Sequence, residues 1–132
     1  VDSKLSERTG FSNSRQVWRV VRQRVVDSCA SVIDIDYLDA SLVPQLNRSI
    51  AEYSIYDYIE NQLNLSISHA FKEITIDNAI DQDKILIDLG KDQHVVCVRS
   101  KVYLNNGKQF QFTESRHKLE KFKFVDYAKR HH

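Results

Sequence analysis

Val17-Trp18-Arg19-Val20-Val21-Arg22-Gln23-Arg24-Val25-Val26 runs into Asp27-Ser28-Cys29-Ala30 and returns as Ser31-Val32-Ile33-Asp34-Ile35-Asp36-Tyr37. The Val-rich stretch from Gln16 to Val26 predicts a strand, residues 27–30 a turn, and Ser31 to Tyr37 the returning partner. Residues two apart on a strand share a face. Arg22 and Arg24 therefore project together, as do Asp34 and Asp36. Each pair is interleaved with apolar residues, so these charges stand on a sheet that otherwise forms core. Charges in such surroundings need partners. Two forked guanidiniums on one face match a phosphate or a carboxylate. The reading is a polar pocket floored by a sheet, for a small anionic ligand. The competing role is pairing of Arg22 and Arg24 with Asp34 and Asp36 across the hairpin. A three-residue loop would set Arg24 opposite Asp34, but the local pattern leaves the register open.

Outward from the hairpin, the chain reads as a mixture of helices and strands. Asp2 to Thr9 predicts a short helix capped by Asp2 and stopped by Gly10. Asp39 to Leu46 predicts an irregular turn broken by Pro44. Ile55, Ile59 and Leu63 give helical spacing to Ile50–Leu65. Ser66 to Ile76 alternates as a strand, and Asp81 to Leu89 reads as a helix ended by Gly90. His94–Leu104 and Lys108–His117 flank Asn105-Asn106-Gly107, a strong hairpin signal. The tail from Lys118 to Arg130, with Phe122, Phe124, Val125 and Tyr127, is expected to pack against the sheet. A faint duplication sets Arg22-Gln23-Arg24-Val25 on Arg99-Ser100-Lys101-Val102 and Asp34 on Gln111. A pseudo-twofold arrangement would then place the two returning strands on opposite sides of one pocket.

The totals limit the function. At 132 residues, 42% hydrophobic, 28% charged and with formal net charge +1, the chain suits one soluble globular domain. It lacks the basic field of a nucleic-acid-binding surface and any apolar run near the roughly 20 residues of a membrane helix. Val1 in place of a starting Met, and the absence of Met throughout, point to a fragment. His131 and His132 are either native or the remnant of a purification tag and carry no functional reading. Cys29 and Cys97 are expected as free thiols in a reducing cytoplasm. His69, His94 and His117 lack metal-ligand spacing, and no glycine-rich phosphate loop or nucleophile elbow is visible. Ser54-Ile55-Tyr56-Asp57 is a capping-box signature opening the Ile55–Leu65 helix. Its free N–H groups suit a phosphate, although Ser54 could simply cap its own helix.

From Asp2 to Phe124 the chain resembles the effector-binding (UTRA) domain of GntR-type bacterial repressors, the HutC subgroup. The carriers are Arg22-Gln23-Arg24, Asp34 to Leu38, Leu42-Val43-Pro44, Ser54-Ile55-Tyr56-Asp57-Tyr58-Ile59 and Gly107 to Phe124. The ending from Thr113 to Ala128 is most similar to repressors of trehalose operons. The resemblance implies an α+β fold, an antiparallel sheet with flanking helices like chorismate lyase, over residues 1–130. It implies a homodimeric cytoplasmic phosphosugar sensor without cofactor or catalysis, reaching DNA only through a domain outside this chain. The effector it implies is trehalose 6-phosphate. Carried over by motif, Arg22 and Arg24 hold the phosphate with the helix start at Ser54, and Tyr56 matches the family's aromatic two residues on. Asp34 stands where a longer Glu is common, Gln111 where the family has Glu, and His117 where it has Tyr. Gln at 111 keeps hydrogen bonding and suits a neutral disaccharide. Against the family pattern the first strand of the usual domain is missing or truncated in this sequence, so contacts from it do not carry over. Two alternatives are a sensor of another anionic metabolite, such as an amino-sugar phosphate or a histidine-pathway intermediate, and a chorismate-lyase-type enzyme. Gln111 and the absence of an evident general acid argue against them.

Overall fold

A computed structural model describes residues 2–42 and 66–128. Helix α1 (Ser3–Thr9) leads into β1 (Val17–Val26) and β2 (Cys29–Asp39). Then follow β3 (Ile67–Asn78), α2 (Asp81–Leu86), β4 (His94–Leu104) and β5 (Gln109–Lys118), with a final 3-10 turn at Leu119–Lys121. The strands form one sheet in the order β1-β2-β5-β4-β3, and every neighbouring pair is antiparallel. The expected α+β class is therefore correct. The turn expected at Asp39–Leu46 is described only to Leu42, and the helix expected at Ile50–Leu65, with Ser54 and Tyr56, falls outside the described residues.

Helix α1 forms as its ends predict. Asp2 Oδ1 accepts from Leu5 N at 2.8 Å, and Gly10 closes the helix at φ +86°. The first hairpin turns more tightly than expected. Asp27 and Ser28 alone make the loop, at φ +52° and +63°, and Cys29 and Ala30 already belong to β2. Two left-handed residues give the twist a two-residue hairpin needs. An irregularity between Arg24 and Val25 then sets Arg22 opposite Asp34 and Arg24 opposite Val32.

Helix α2 also stops earlier than Gly90. Ile87 is extended (φ −117°, ψ 139°) because a tertiary partner captures the next residue. Asp88 N donates to Ala30 O, and Asp88 Oδ2 accepts from Ala30 N, both at 2.8 Å. This clamp turns Ile87 and Leu89 into the core, where they are buried. The tail departs from expectation too. Phe122 lies against the His117 ring at 5.2 Å, but Phe124, Val125 and Tyr127 are exposed. β5 is already paired on both sides, with β2 and β4, so the segment after it finds no adjacent strand edge.

The sheet's two faces differ in chemistry. Ile33, Ile35, Tyr37, Val95, Cys97 and Phe112 alternate onto one face and cluster with Phe11, Ile87 and Leu89. Burial of each large side chain contributes about 1.5–3 kcal/mol. The same burial pushes the Cys97 thiol up to about 11, so it stays protonated. Both cysteines are free thiols. The other face carries Arg22, Arg24, Asp34, Asp36, Gln111 and His117, by the alternation and register of β1, β2 and β5.

The duplication survives only in part. The offset that sets Arg22 on Arg99 also sets Asp36 on Thr113, and these two face each other across β2 and β5. That is where a local twofold would pass. The returning strands are thus hydrogen-bonded neighbours in one sheet, not opposite walls of a pocket. Arg22 faces Asp34 whereas Val102 faces Gln111. The longer connection at Asn105-Asn106-Gly107 has slipped β4, and Arg99 and Lys101 fall on the other face.

Candidate functional site

Five of the seven expected ligand residues lie on one face of three adjacent strands: Arg22 and Arg24 on β1, Asp34 on β2, Gln111 and His117 on β5. Ser54 and Tyr56 lie outside the described residues. The cross-hairpin pairing considered as the competing role is present. Arg24 grips Asp34 with two donors, Nε to Oδ2 at 2.6 Å and Nη2 to Oδ1 at 3.1 Å. Arg22 donates through Nη2 to Asp36 Oδ2 at 2.8 Å. The register explains this offset pairing: each arginine reaches diagonally past the residue it faces, Arg22 past Asp34 to Asp36 and Arg24 past Val32 to Asp34.

Strand β5 completes both pairs. Ser115 Oγ donates to Asp34 Oδ1 at 2.7 Å, and Gln111 Nε2 donates to Asp36 Oδ1 at 3.0 Å. Each carboxylate thus holds one guanidinium and one neutral donor. The arginines are not consumed by these bonds. A guanidinium has five N–H donors; Arg22 spends one and Arg24 two on described partners. Their side chains are 42% and 53% exposed, against 6% and 16% for Asp36 and Asp34. The acids are fixed and the cations remain reachable, an arrangement that can receive an anion. Burial raises the Asp36 carboxyl above its usual range, against the lowering effect of Arg22.

His117 sits half-buried beside this cluster. Burial, then the nearby positive charge of Arg24, lower its pKa from 6.5. It is therefore a neutral ring at neutral pH, able to hydrogen-bond a hydroxyl rather than to neutralise a phosphate. A proton NMR titration is expected to place its midpoint below 6.5; a midpoint at or above that value would contradict this environment. The folded state then binds fewer protons than the unfolded chain below 6.5. Its contribution to stability is complete above 6.5 and is lost as pH falls from there through the lowered value.

Asp36 and Ser115 are members of the cluster that the expected ligand set omits. Asp36 was legible as a charge within an apolar strand, but its link to Gln111 depends on the pairing of β2 with β5. The opposite face carries a second polar system. Arg116 binds Asp83, Glu114 and the Asn78 carbonyl, and Arg99 binds Glu114, Asp77 and Thr75. Two open grooves of about 570 Å³ lie on this other side, both bordered by Arg8 and Arg99. Neither is lined by Arg22 or Arg24. Among the described residues no His/Cys/Asp/Glu group is arranged to hold a metal, and no helix is long and apolar enough to cross a membrane.

A five-stranded antiparallel sheet with few helices is the fold of effector-binding domains of GntR-family transcriptional regulators. The chain belongs to the UTRA domain family, whose model matches residues 1–123. It is 47% identical over 114 residues to the HTH-type transcriptional regulator TreR of Bacillus subtilis (strain 168), covering 86% of this chain and 48% of that protein. It is 25% identical over 127 residues to the HTH-type transcriptional repressor NagR of the same organism, covering 96% of this chain and 52% of NagR. The chain thus spans about half the length of these curated relatives. The fold matches the effector binding domain of the B. subtilis trehalose repressor with a TM-score of 0.91 at 41% identity, over 100% of this chain and 92% of that one. It matches a GntR-family regulator from Bacillus cereus in fold, with a TM-score of 0.87 at 24% identity over 98% of this chain and 90% of that one.

Proposed function

We propose that this domain is the effector sensor of a transcriptional repressor and that trehalose 6-phosphate is its ligand. The observation that carries the reading is the convergence of Arg22, Arg24, Asp34, Gln111 and His117 on one sheet face with both guanidiniums reachable. The similarity to a trehalose repressor's effector-binding domain supports the choice of sugar. The phosphate docks on Arg22 and Arg24, joined by Ser54; Tyr56 is a further expected ligand contact. Asp34, Gln111 and the neutral ring of His117 bind sugar hydroxyls. The domain performs no chemistry. In the full regulator, a homodimer in the cytoplasm, effector binding favours one arrangement of the two subunits and so releases the operator held by separate DNA-binding domains. Such a switch requires different affinities for the two arrangements.

Calorimetry with trehalose 6-phosphate and with trehalose tests the ligand. Charge-assisted hydrogen bonds contribute about 1.5–3 kcal/mol each. The phosphate form is therefore expected to bind about a hundredfold tighter or better. Equal affinity for the two sugars would remove the arginines from the site.

A further inference from the structure

Among the described residues Asp36 is the most deeply buried acid on the ligand-facing side, 4% exposed, and the functional reading gives it no ligand to bind. It is held from two strands: Arg22 Nη2 at 2.8 Å from β1 and Gln111 Nε2 at 3.0 Å from β5. Thr113 faces it directly, and Asp34 adjoins it on its own strand. Both side chains that grip Asp36 are themselves expected ligand contacts. Together Arg22, Arg24, Asp34 and Asp36 carry no net charge, which is a poor resting field for a dianion. The two ion pairs are also unequal. Arg24 holds Asp34 with two donors, whereas Arg22 holds Asp36 with one.

We propose that Asp36 is a built-in counter-ion that occupies Arg22 until a ligand phosphate displaces it, and so sets how strongly an anion must compete to bind. The inference rests on the reading of Arg22 as an anion ligand. Displacement is feasible because the exposed guanidinium moves while the buried acid stays. Left with Gln111 alone, Asp36 can take a proton, since burial already holds its carboxyl above the ordinary range. A neutral sugar cannot draw Arg22 away. Asp36 would therefore weaken binding of the phosphorylated sugar alone, and so raise the concentration at which the sensor responds, without touching the ligand.

Asp36→Asn keeps the shape and an acceptor for Gln111 but removes the charge. Its affinity for trehalose 6-phosphate, and separately for inorganic phosphate, is expected to rise roughly tenfold over the wild-type domain. Arg22→Ala/Asp36→Asn should show no such gain. Unchanged or weaker phosphate binding by a folded Asp36→Asn domain would overturn the proposal. If the wild-type domain binds no phosphosugar, the functional reading fails, while the inorganic-phosphate comparison still decides the role of Asp36. Should Asp36→Asn not fold, NMR of the wild-type guanidinium groups decides instead. Inorganic phosphate should shift the Arg22 signals and leave those of buried Arg116 in place; an unmoved Arg22 would overturn the proposal.

Discussion

Replacing Arg22 by alanine is expected to weaken trehalose 6-phosphate binding by about a hundredfold or more, about 2.7 kcal/mol. The loss of binding is that of the charge-assisted bonds to the phosphate, whereas the unpaired negative charge left on Asp36 lowers stability. Asp36 is 4% exposed and would keep only its bond to Gln111. Losing one partner of a buried charge costs about 1–3 kcal/mol when the group can relax by protonation. The domain should therefore fold, with a lower melting temperature, and the variant Arg22→Ala/Asp36→Asn should recover part of that stability. Recovery of stability without recovery of binding separates the ligand role of Arg22 from its structural one. An Arg22→Ala domain that binds the phosphosugar as tightly as wild type would place the phosphate elsewhere.

The largest stability effect is expected on the other face, at Asp83. Arg116 Nε and Nη2 donate to its two oxygens at 2.8 and 2.9 Å, and the two side chains are 4% and 0% exposed. Asp83 Oδ2 also accepts from Ile80 N at 2.9 Å, so one carboxylate caps α2 and anchors it to β5. Arg116 reaches Glu114 at 3.2 Å, and Glu114 in turn holds Arg99 at 2.9 Å. Asp83→Ala leaves a guanidinium buried without its two-pronged partner and exposes the start of α2. Breaking a buried pair from one side costs about 3–5 kcal/mol. Chemical denaturation should show that loss, whereas a shape-matched apolar pair such as Asp83→Leu/Arg116→Met should recover most of it. A loss under 1 kcal/mol for Asp83→Ala would mean that the network contributes little.

These two sites show which parts of the molecule were legible in the sequence. The β-branched alternation of Val17–Val26 and the Asn105-Asn106-Gly107 turn encode their hairpins locally, and both hairpins form. The capping of α1 by Asp2 and Gly10 is equally local. The length of the first turn was not legible, because Asp27-Ser28 is a weaker two-residue signal than Asn-Gly. The early end of α2 depends on Ala30, a residue distant in the chain that captures Asp88. The same holds for the site. Alternation alone put Arg22 with Arg24 and Asp34 with Asp36. The partners Ser115 and Gln111 follow only from the register of β2 against β5, and long-range register is not written in either strand. The Asp83–Arg116 pair is invisible for that reason as well. The duplication misled because equal spacing in sequence ignores the extra residues of the second turn. The tail misled because its aromatic residues suggested burial, while β5 had no edge left to receive it.

The measurement that bears most directly on the central claim is a crystal structure of the domain with trehalose 6-phosphate. The account predicts phosphate oxygens within hydrogen-bond distance of Arg22 and Arg24, Arg22 turned away from Asp36, and sugar hydroxyls on Asp34, Gln111 and His117. Phosphate bound in the grooves beside Arg8 and Arg99, with the Arg22–Asp36 and Arg24–Asp34 pairs intact, would contradict it.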